Sequence, residues 1–306
     1  MARVFLWLAL ASLISGCAAP LVLEKDGALA VIPRQSGESR LLLVDTMVNG
    51  QGPFRFALDT AASISVLLES TAEAANVLAH PSKRIRLQGM TGSGTFPAAV
   101  ADRIDVGGLH WDSPMLVLLP DSSPVAGRVD GILGIDFMSR YAVAYSADDR
   151  AIRFYPRELV QHRHGYRQWT AIPLDEIHVS GSDASILGFA IHISGSRISA
   201  IFDLGSDTSL MNHRATRVIG VHTPRRRGEG VSGAFGSTIF ATKLIFWEIS
   251  TGGKRWRRKN FLVADFPVFE ALGLQRVPAA VAGLDLFGDR DFVIDFAGMR
   301  LLVRHR

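Results

Sequence analysis

The sequence has only one cysteine, and it lies near the N-terminus at position 17. A single cysteine excludes an intrachain disulfide, and its position indicates processing rather than a redox or metal role. Long charge-rich helical segments are also absent, whereas glycine is frequent, with 29 residues in 306. The chain is 20% charged and 48% hydrophobic. This composition is typical of a globular protein and favours β structure with many turns.

Apolar runs of the roughly 20 residues needed to cross a bilayer are missing as well. The run from Val4 to Ile14 is shorter and follows Arg3, which is typical of a targeting segment. It leads into Leu13-Ile14-Ser15-Gly16-Cys17, which resembles the bacterial lipobox. The resemblance implies that Cys17 carries lipid, and Ala18 in place of Asp favours an outer-membrane lipoprotein facing the periplasm. The alternative is an ordinary cleaved signal peptide.

Clusters with metal-ligand spacing are lacking too. His162 and His164 flank Arg163 without acidic or cysteine neighbours, so we interpret them as part of a solvated linker and predict no metal site. Gly228 to Gly233 matches a dinucleotide-binding string, but it follows an arginine run instead of a strand. We therefore expect no cofactor.

The most informative feature that is present is a repeated acidic turn. In Phe54 to Ser63, an apolar strand ends in Asp59 and continues into small and hydroxyl residues. Ile198 to Thr208 repeats the pattern around Asp203, 144 positions later. Two such carboxylates, one from each half of the chain, can form a pair that shares one proton.

Each acidic turn follows a predicted β-hairpin. In the first half, Leu41 to Val48 and Pro53 to Leu58 flank an Asn-Gly turn, which is a strong hairpin signal. In the second half, Ile186 to Ile193 and Arg197 to Phe202 flank a Ser-Gly-Ser turn. Both hairpins lead their last strand directly into the aspartate.

The repeat continues downstream over roughly 110 residues in each half, as expected for an internal duplication. A helix-like stretch, Glu69 to Ala79, follows the first acidic turn. Three further elements then occur in the same order twice: a Gly-rich turn (Gln88 to Gly94; Gly228 to Gly236), an apolar segment with glycine (Gly131 to Met138; Val281 to Phe287) and closing strands (Tyr141 to Tyr145 with Ala151 to Tyr155; Phe292 to Phe296 with Met299 to Val303).

Together these elements resemble the aspartic peptidases of the retropepsin and pepsin superfamily, in a single-chain arrangement. The resemblance implies a mostly β protein with two retropepsin-like β-barrel lobes related by a pseudo-twofold axis. We predict a signal peptide with lipobox over residues 1–17, a lead-in over 18–39, an N-terminal lobe over 40–160 and a C-terminal lobe over 161–306.

The resemblance also implies an aspartic endopeptidase that hydrolyses a peptide or protein substrate with water activated by the aspartate pair. Its site residues would fall into three groups. They are the catalytic Asp59 and Asp203; the active-site turns Thr60, Ala61, Ala62, Leu204, Gly205 and Ser206; and the substrate flaps Gly89, Met90, Thr91, Gly92, Gly230, Val231, Ser232 and Gly233.

Two positions depart from the family pattern. Ala61 stands where the family has glycine, and Leu204 replaces a hydroxyl residue that takes part in a brace between the lobes. These departures keep open an alternative, a catalytically degenerate periplasmic peptide-binding lipoprotein of the same fold. We further expect the Ser206 hydroxyl to donate to Asp203, which would make Asp203 the ionised member of the pair and Asp59 the proton carrier.

Two further features need interpretation. Asp136 and Asp285 form another repeated pair, which we interpret as structural caps at loops or helix starts. The basic run Lys254 to Lys259, with Arg225 to Arg227, is either an exposed hairpin tip after Gly253 or a contact for anionic lipid. One interleaved tryptophan is too little for nucleic-acid recognition, so no nucleic acid is expected, and the chain should be a monomer.

Overall fold

The computed structural model describes residues 27–33, 40–158, 169–223 and 228–304. Cys17, His162, His164 and the arginines at 225–227 lie outside these ranges, so the predictions about them stay predictions. Within the described residues, none of the helices has the length and apolar character of a membrane span.

Two hairpins with left-handed turns introduce the acidic residues, as the sequence predicts. Strands β2 (Leu43–Val48) and β3 (Gln51–Leu58) are joined by Asn49 and Gly50, whose φ angles are 50° and 76°. Strands β15 (Ser185–Ile193) and β16 (Ser196–Phe202) are joined by Ser194 and Gly195, with φ angles of 50° and 80°. Positive φ at both turn residues is the geometry that matches the twist of a tight hairpin, and Asn-Gly favours it.

The first half of the chain forms a nine-stranded sheet. Besides β2 and β3 it contains β4 (Val66–Leu68), β5 (Ala79–Gln88), β6 (Ser93–Val100), β7 (Arg103–Val106), β8 (Leu109–Asp112), β9 (Met115–Leu119) and β10 (Gly131–Leu133). Their order is β5-β6-β9-β4-β10-β3-β2-β7-β8. Helix α1 (Glu69–Ala74) follows β4, and α2 (Ile135–Met138) follows β10. Helix α1 is shorter than predicted because Asn76 has a φ of 53°, which ends the helical path.

The second half forms an eight-stranded sheet of related topology. With β15 and β16 it contains β14 (Asp175–His178), β17 (Leu210–Met211), β18 (Glu229–Val231), β19 (Ile239–Thr251), β20 (Lys254–Val263) and β21 (Ala279–Ala282). Their order is β14-β15-β16-β21-β17-β20-β19-β18. The helices of this half are α3 (His213–Ile219), α4 (Pro267–Ala271) and α5 (Leu284–Phe287).

A six-stranded sheet joins the two halves. It contains β1 (Ala30–Pro33), β11 (Tyr141–Ser146), β12 (Ala151–Pro156), β13 (Trp169–Pro173), β22 (Phe292–Asp295) and β23 (Arg300–Arg304), in the order β1-β12-β11-β22-β23-β13. Strands β11 and β22 pair antiparallel across the middle, with Val143 opposite Ile294. The lead-in strand and the closing strands of both halves thus form a common base, and the prediction of a mostly β, two-lobe fold is confirmed.

The duplication is clearest where the acidic strands run. Strand β3 pairs in parallel with β10, and β16 pairs in parallel with β21. The partners β10 and β21 each pair antiparallel with the short strand that follows the acidic turn, β4 or β17. Each lobe therefore holds its acidic turn at the end of a central, fully paired strand, which is a rigid position for a reactive group.

Candidate active site

Asp59 and Asp203 occupy equivalent positions one residue beyond β3 and β16. The backbone N–H of Asp59 donates to Leu133 O at 3.0 Å, and that of Asp203 donates to Ala282 O at 3.1 Å. These bonds continue the parallel pairing with β10 and β21 by one residue. The Cα of each aspartate is therefore fixed by its own sheet.

The two carboxyl groups meet at the boundary between the lobes, where they hydrogen-bond to each other. Asp59 also reaches the opposite turn. A Cβ atom built on Gly205 would lie 2.3 Å from Asp59 Cγ and 2.4 Å from its Oδ2, closer than any real contact of such an atom. The glycine at position 205 is thus required by space, because its missing side chain is where the carboxyl group of Asp59 lies.

The surroundings of the two carboxyl groups differ. Oδ1 of Asp59 accepts hydrogen bonds from the N–H groups of Ala61 at 2.8 Å and Ala62 at 3.1 Å. Asp203 is the more buried residue, and its Oδ1 has no hydrogen-bond partner among the described residues. The backbone N–H groups of Gly205 and Ser206 also bond to the Asp203 carboxyl group and lower its pKa, so the two aspartates differ mainly in burial.

Burial raises the pKa of both aspartates, and it raises that of Asp203 well above the usual range because the charge of Asp59 adds to the effect of burial. The N–H groups of Ala61 and Ala62 oppose the rise of the Asp59 pKa. Both pKa values are thus raised, so the pair retains one proton to a higher pH than a free aspartate would. Which of the two carboxyl groups holds the proton stays a prediction.

The hydroxyl group of Ser206 does not have the partner that was predicted for it. It does not donate to Asp203; instead it donates to Thr208 O at 2.8 Å and accepts from Thr208 N at 3.4 Å. A serine in a turn commonly bonds to backbone two residues on. The expected contribution of Ser206 to the ionisation of Asp203 is therefore wrong.

Thr60 connects the two lobes despite the loss of a hydroxyl at position 204. Its Oγ1 donates to Phe202 O at 2.7 Å and accepts from Leu204 N at 3.0 Å. Thr60 and Leu204 are both buried, with Leu204 packed in the core. One hydroxyl thus satisfies two backbone groups of the other lobe, and only the reciprocal bonds from position 204 are missing.

Ala61 does not strain its turn. Its φ is not among the positive values of the described residues, so the turn does not require glycine for its backbone path. The side chain of Ala61 packs instead against the apolar cluster of the second lobe that contains Ile201 and Leu210. Neither departure from the family pattern disturbs the positions of the carboxyl groups.

Each acidic turn is closed by a glycine of the apolar segment. Ile135 N donates to Ala62 O, and Leu284 N donates to Ser206 O, both at 2.8 Å. A Cβ on Gly134 would lie 2.6 Å from Ala62 O, and one on Gly283 would lie 2.8 Å from Ser206 O. These glycines let the apolar segment pack directly against the turn.

Asp136 and Asp285 have the structural role that was predicted, but they are not the capping residues. The cap positions of α2 and α5 are Gly134 and Gly283, and the aspartates lie in the first turn. Asp136 accepts from the Ser65 hydroxyl at 2.7 Å, and Asp285 accepts from the Ser209 hydroxyl at 2.6 Å. Each therefore ties its helix to the start of the strand after the acidic turn, and burial raises the pKa of both carboxyl groups.

The two Gly-rich turns touch each other across the cleft. Thr91, in the turn between β5 and β6, forms a parallel bridge with Gly236 in the loop between β18 and β19. Its Oγ1 donates to Phe235 O at 2.7 Å and accepts from Gly233 N at 3.2 Å. Ser123 of the first lobe also donates to Ala234 O. The two flaps thus form one closed cover.

Comparison with known proteins agrees with this arrangement. Residues 44–137 match the model of the aspartyl protease family. Comparison with curated protein sequences gives no significant match. Among solved structures, the aspartic proteinase from Irpex lacteus superposes with a TM-score of 0.55 at 13% identity, covering 90% of this chain and 96% of that one. The chain is thus similar to aspartyl proteases over residues 44–137, and over most of its length it has the fold of an aspartic proteinase. The family match supports a general aspartic protease function.

The tips of the two Gly-rich turns cross to the opposite lobe. Met90 packs against the second-lobe cluster around Phe266 and Phe269. Phe235 packs against the first-lobe cluster around Val117 and Leu119, with its ring 5.3 Å from that of Phe96. Each tip therefore covers an apolar wall that belongs to the other half.

The predicted flap residues are placed unevenly. Gly89, Met90, Thr91 and Gly92 form the first tip, whereas Gly230 and Val231 lie within β18, and the second tip extends through Gly236. The contacts of Ala234, Phe235 and Gly236 were not predicted from the sequence. The glycine at position 236 could have indicated them, because it marks a close approach of two backbones: a Cβ there would lie 2.4 Å from Thr91 O.

The described residues contain no group of three or more His, Cys, Asp or Glu side chains arranged to hold a metal ion.

Proposed function

We propose that the chain is an aspartic endopeptidase in which Asp59 and Asp203 activate water. The observation that supports this most directly is the contact between two buried carboxyl groups, each at the end of a central strand of its own lobe. Two carboxyl groups so close cannot both ionise without a large electrostatic cost, so the pair shares one proton. Such a pair supplies a general base and a general acid at once.

The mechanism follows from the asymmetry of the pair. Asp59, which accepts two backbone hydrogen bonds on Oδ1, is the general base that takes a proton from the attacking water. Asp203, which holds its proton because it is more buried and faces the charge of Asp59, polarises the carbonyl of the scissile peptide bond. After the attack, the proton on the pair is available for the leaving amine.

Substrate must first displace the flaps, because their tips cover the apolar walls on both sides of the boundary. Large apolar side chains on either side of the scissile bond are the groups that would replace Met90 and Phe235 on these walls. We therefore expect peptides with such side chains to be cleaved in preference to polar ones.

The proposal is tested with a chain that begins at Ala18, which keeps every strand and helix described above, incubated with a mixed peptide library. Asp59→Asn and Asp203→Asn should each lower the cleavage rate by about 10²–10⁴-fold or more, the contribution typical of general acid–base catalysis. Asp207→Asn is the matched control, since Asp207 lies just beyond the acidic turn, is half-buried, and contacts Arg128 at 3.5 Å and the Thr208 hydroxyl at 3.3 Å. Equal cleavage by all three variants would refute the proposal.

The alternative, a peptide binder without catalysis, predicts a different outcome of the same experiment. Library peptides would then be retained by the folded chain in equilibrium dialysis, and neither wild type nor Asp207→Asn would produce new termini. The missing hydroxyl at position 204 is the feature that favours this alternative.

We further propose, from the lipobox resemblance alone, that Cys17 is lipidated and anchors the protein to the outer membrane, facing the periplasm. Labelled fatty acid should be incorporated into the wild type and not into Cys17→Ala. Recovery of the wild type entirely in the soluble periplasmic fraction would contradict the anchor.

A further inference from the structure

The hairpin formed by β19 and β20 has a concentrated net positive charge. Between Ile239 and Val263 the sequence has six basic residues and one acidic residue, whereas the whole chain has a net charge of +4. The rest of the chain therefore has no net positive charge. Such a local concentration produces a positive potential at one surface.

The register of the hairpin places an exposed tryptophan among these charges. Phe246 pairs with Lys259 and Glu248 pairs with Arg257, so Trp247 lies across from Arg258. Trp247 is 75% exposed and Ile245 is 50% exposed. A solvent-exposed apolar pair of this size beside basic residues is unusual on a protein surface that has no partner.

A local irregularity in both strands causes this exposure. In a regular strand buried and exposed residues alternate. Phe246 and Ile249 are both buried but are three positions apart, and the two residues between them, Trp247 and Glu248, are both exposed. On β20, Arg257 and Arg258 are likewise consecutive and exposed, and Arg258 has a φ of 51°. The pairing register is the same on both sides of Trp247 and Arg258, so neither strand has an inserted residue and the irregularity is confined to these two positions.

The basic residues are not equivalent. Lys259 faces the protein, where its Nζ donates to Asp285 O at 2.7 Å. Trp256, the tryptophan inside the basic run, is buried in the core. Arg255, Arg257 and Arg258 are exposed, and within the part of the chain that the structure describes only Arg255 forms an ion pair, with Glu248 at 3.5 Å. The outward surface thus combines Ile245 and Trp247 with three arginines.

We propose that this surface docks on an anionic membrane, with Trp247 and Ile245 at the boundary of the acyl chains and the arginines on lipid phosphates. Tryptophan is favoured at membrane–water interfaces, and basic side chains near an anionic surface strengthen binding. The aliphatic Ile245 contributes nothing to base stacking but adds apolar area to a lipid contact. The proposal is independent of hydrolysis, since none of these residues belongs to the site.

The test uses the chain that begins at Ala18 and vesicles of phosphatidylglycerol and phosphatidylethanolamine, compared with vesicles of phosphatidylcholine. We expect sedimentation with the anionic vesicles only, weakened by salt. Arg257→Gln with Arg258→Gln should weaken it by about fivefold for each charge removed. Arg217→Gln with Arg276→Gln, which removes two exposed arginines of the same lobe outside the hairpin, should have little effect.

Tryptophan fluorescence gives a second measurement. Trp111, Trp169 and Trp256 are buried, so a blue shift on adding anionic vesicles comes from Trp247 and should vanish in Trp247→Ala. Equal binding to both vesicle types, or equal loss in the control double variant, would overturn the proposal. So would binding of a labelled oligonucleotide through the same arginines without binding to vesicles, because it would assign the surface to nucleic acid.

Discussion

Gly205 lies against the carboxyl group of Asp59, so close that a Cβ at position 205 would stand 2.3 Å from Asp59 Cγ. The two residues come from different lobes, and their contact makes the position of the proposed base dependent on the turn of the opposite half. Since φ at Gly205 is not positive, the constraint is the absence of a side chain rather than backbone conformation.

Gly205→Ala should therefore impair the site more than the fold. The added methyl displaces the Asp59 carboxyl group, and a displacement of about 1 Å can lower a rate by about 10²-fold. Ala61→Gly, the equivalent position in the other turn, is the matched variant and should keep most activity. Both variants are compared with wild type in kcat/KM, which reports on the site, and in melting temperature, which reports on the fold. A Gly205→Ala variant with unchanged kcat/KM would show that Asp59 is positioned in another way.

Thr60→Val should loosen the lobe boundary. The substitution keeps the shape of the side chain but leaves Phe202 O and Leu204 N without their buried partner. At about 1–3 kcal/mol for each unsatisfied group, the free energy of unfolding should fall by about 2–4 kcal/mol. Thr60→Ser, which keeps the hydroxyl, is the control. The free energy of unfolding of both variants is measured by denaturant unfolding. Equal stability of the two variants would mean that the hydroxyl does not brace the lobes.

The parts of the structure that the sequence predicts are those fixed by local chemistry. The Asn49-Gly50 turn determines its own φ angles, and the burial of most residues in β15 and β16 follows from their apolar runs. Both acidic turns could be found because each is a contiguous motif.

Contacts between distant segments could not be predicted in this way. Thr60 bonds to backbone at positions 202 and 204, and Trp247 lies across from Arg258, because of how strands pair after folding. The hydrogen bond from Ser206 to Asp203 was predicted wrongly for a related reason. Ser206 has a nearer acceptor in Thr208 O, which the composition of the turn does not reveal.

Ala62→Ser, for the same reason, should leave the acidic limb of the pH–rate profile where it is. By the pseudo-symmetry of the turns, a serine at position 62 would bond to backbone two residues on, as Ser206 does, and not to Asp59. The two N–H groups on Asp59 Oδ1 would be unchanged. The profile of kcat/KM against pH decides; a shift of the acidic limb to lower pH would show that the new hydroxyl reaches the carboxyl group.

Thr91→Val should make the flaps open more easily. It removes the hydroxyl that bonds Phe235 O and Gly233 N across the cleft. If the closed flaps lose roughly 1.4 kcal/mol of stabilisation, which is within the usual range for such hydrogen bonds, the fraction of molecules with open flaps rises about tenfold. The apparent KM for the substrate should then fall by up to the same factor. Hydrogen exchange at residues 89–92 and 232–236 should accelerate in parallel, and Thr91→Ser should not change. If exchange accelerates without any change in KM, closure of the flaps does not limit substrate entry.

Asp203→Asn should stabilise the folded protein at neutral pH. The pKa of Asp203 is raised well above its usual value by burial and by the charge of Asp59, so the folded state binds more protons than the unfolded state between the usual and the raised pKa. Stability therefore falls as pH rises through that window, and below it both states are protonated and the effect is absent. Asparagine is neutral at every pH, so the variant should exceed wild type in melting temperature at pH 7 and match it near pH 3.5. Asp112→Asn, at an exposed position on β8, should show no such pH-dependent gain. A variant that is less stable than wild type at pH 7, or a gain that persists unchanged at low pH, would mean that Asp203 does not hold the proton of the pair.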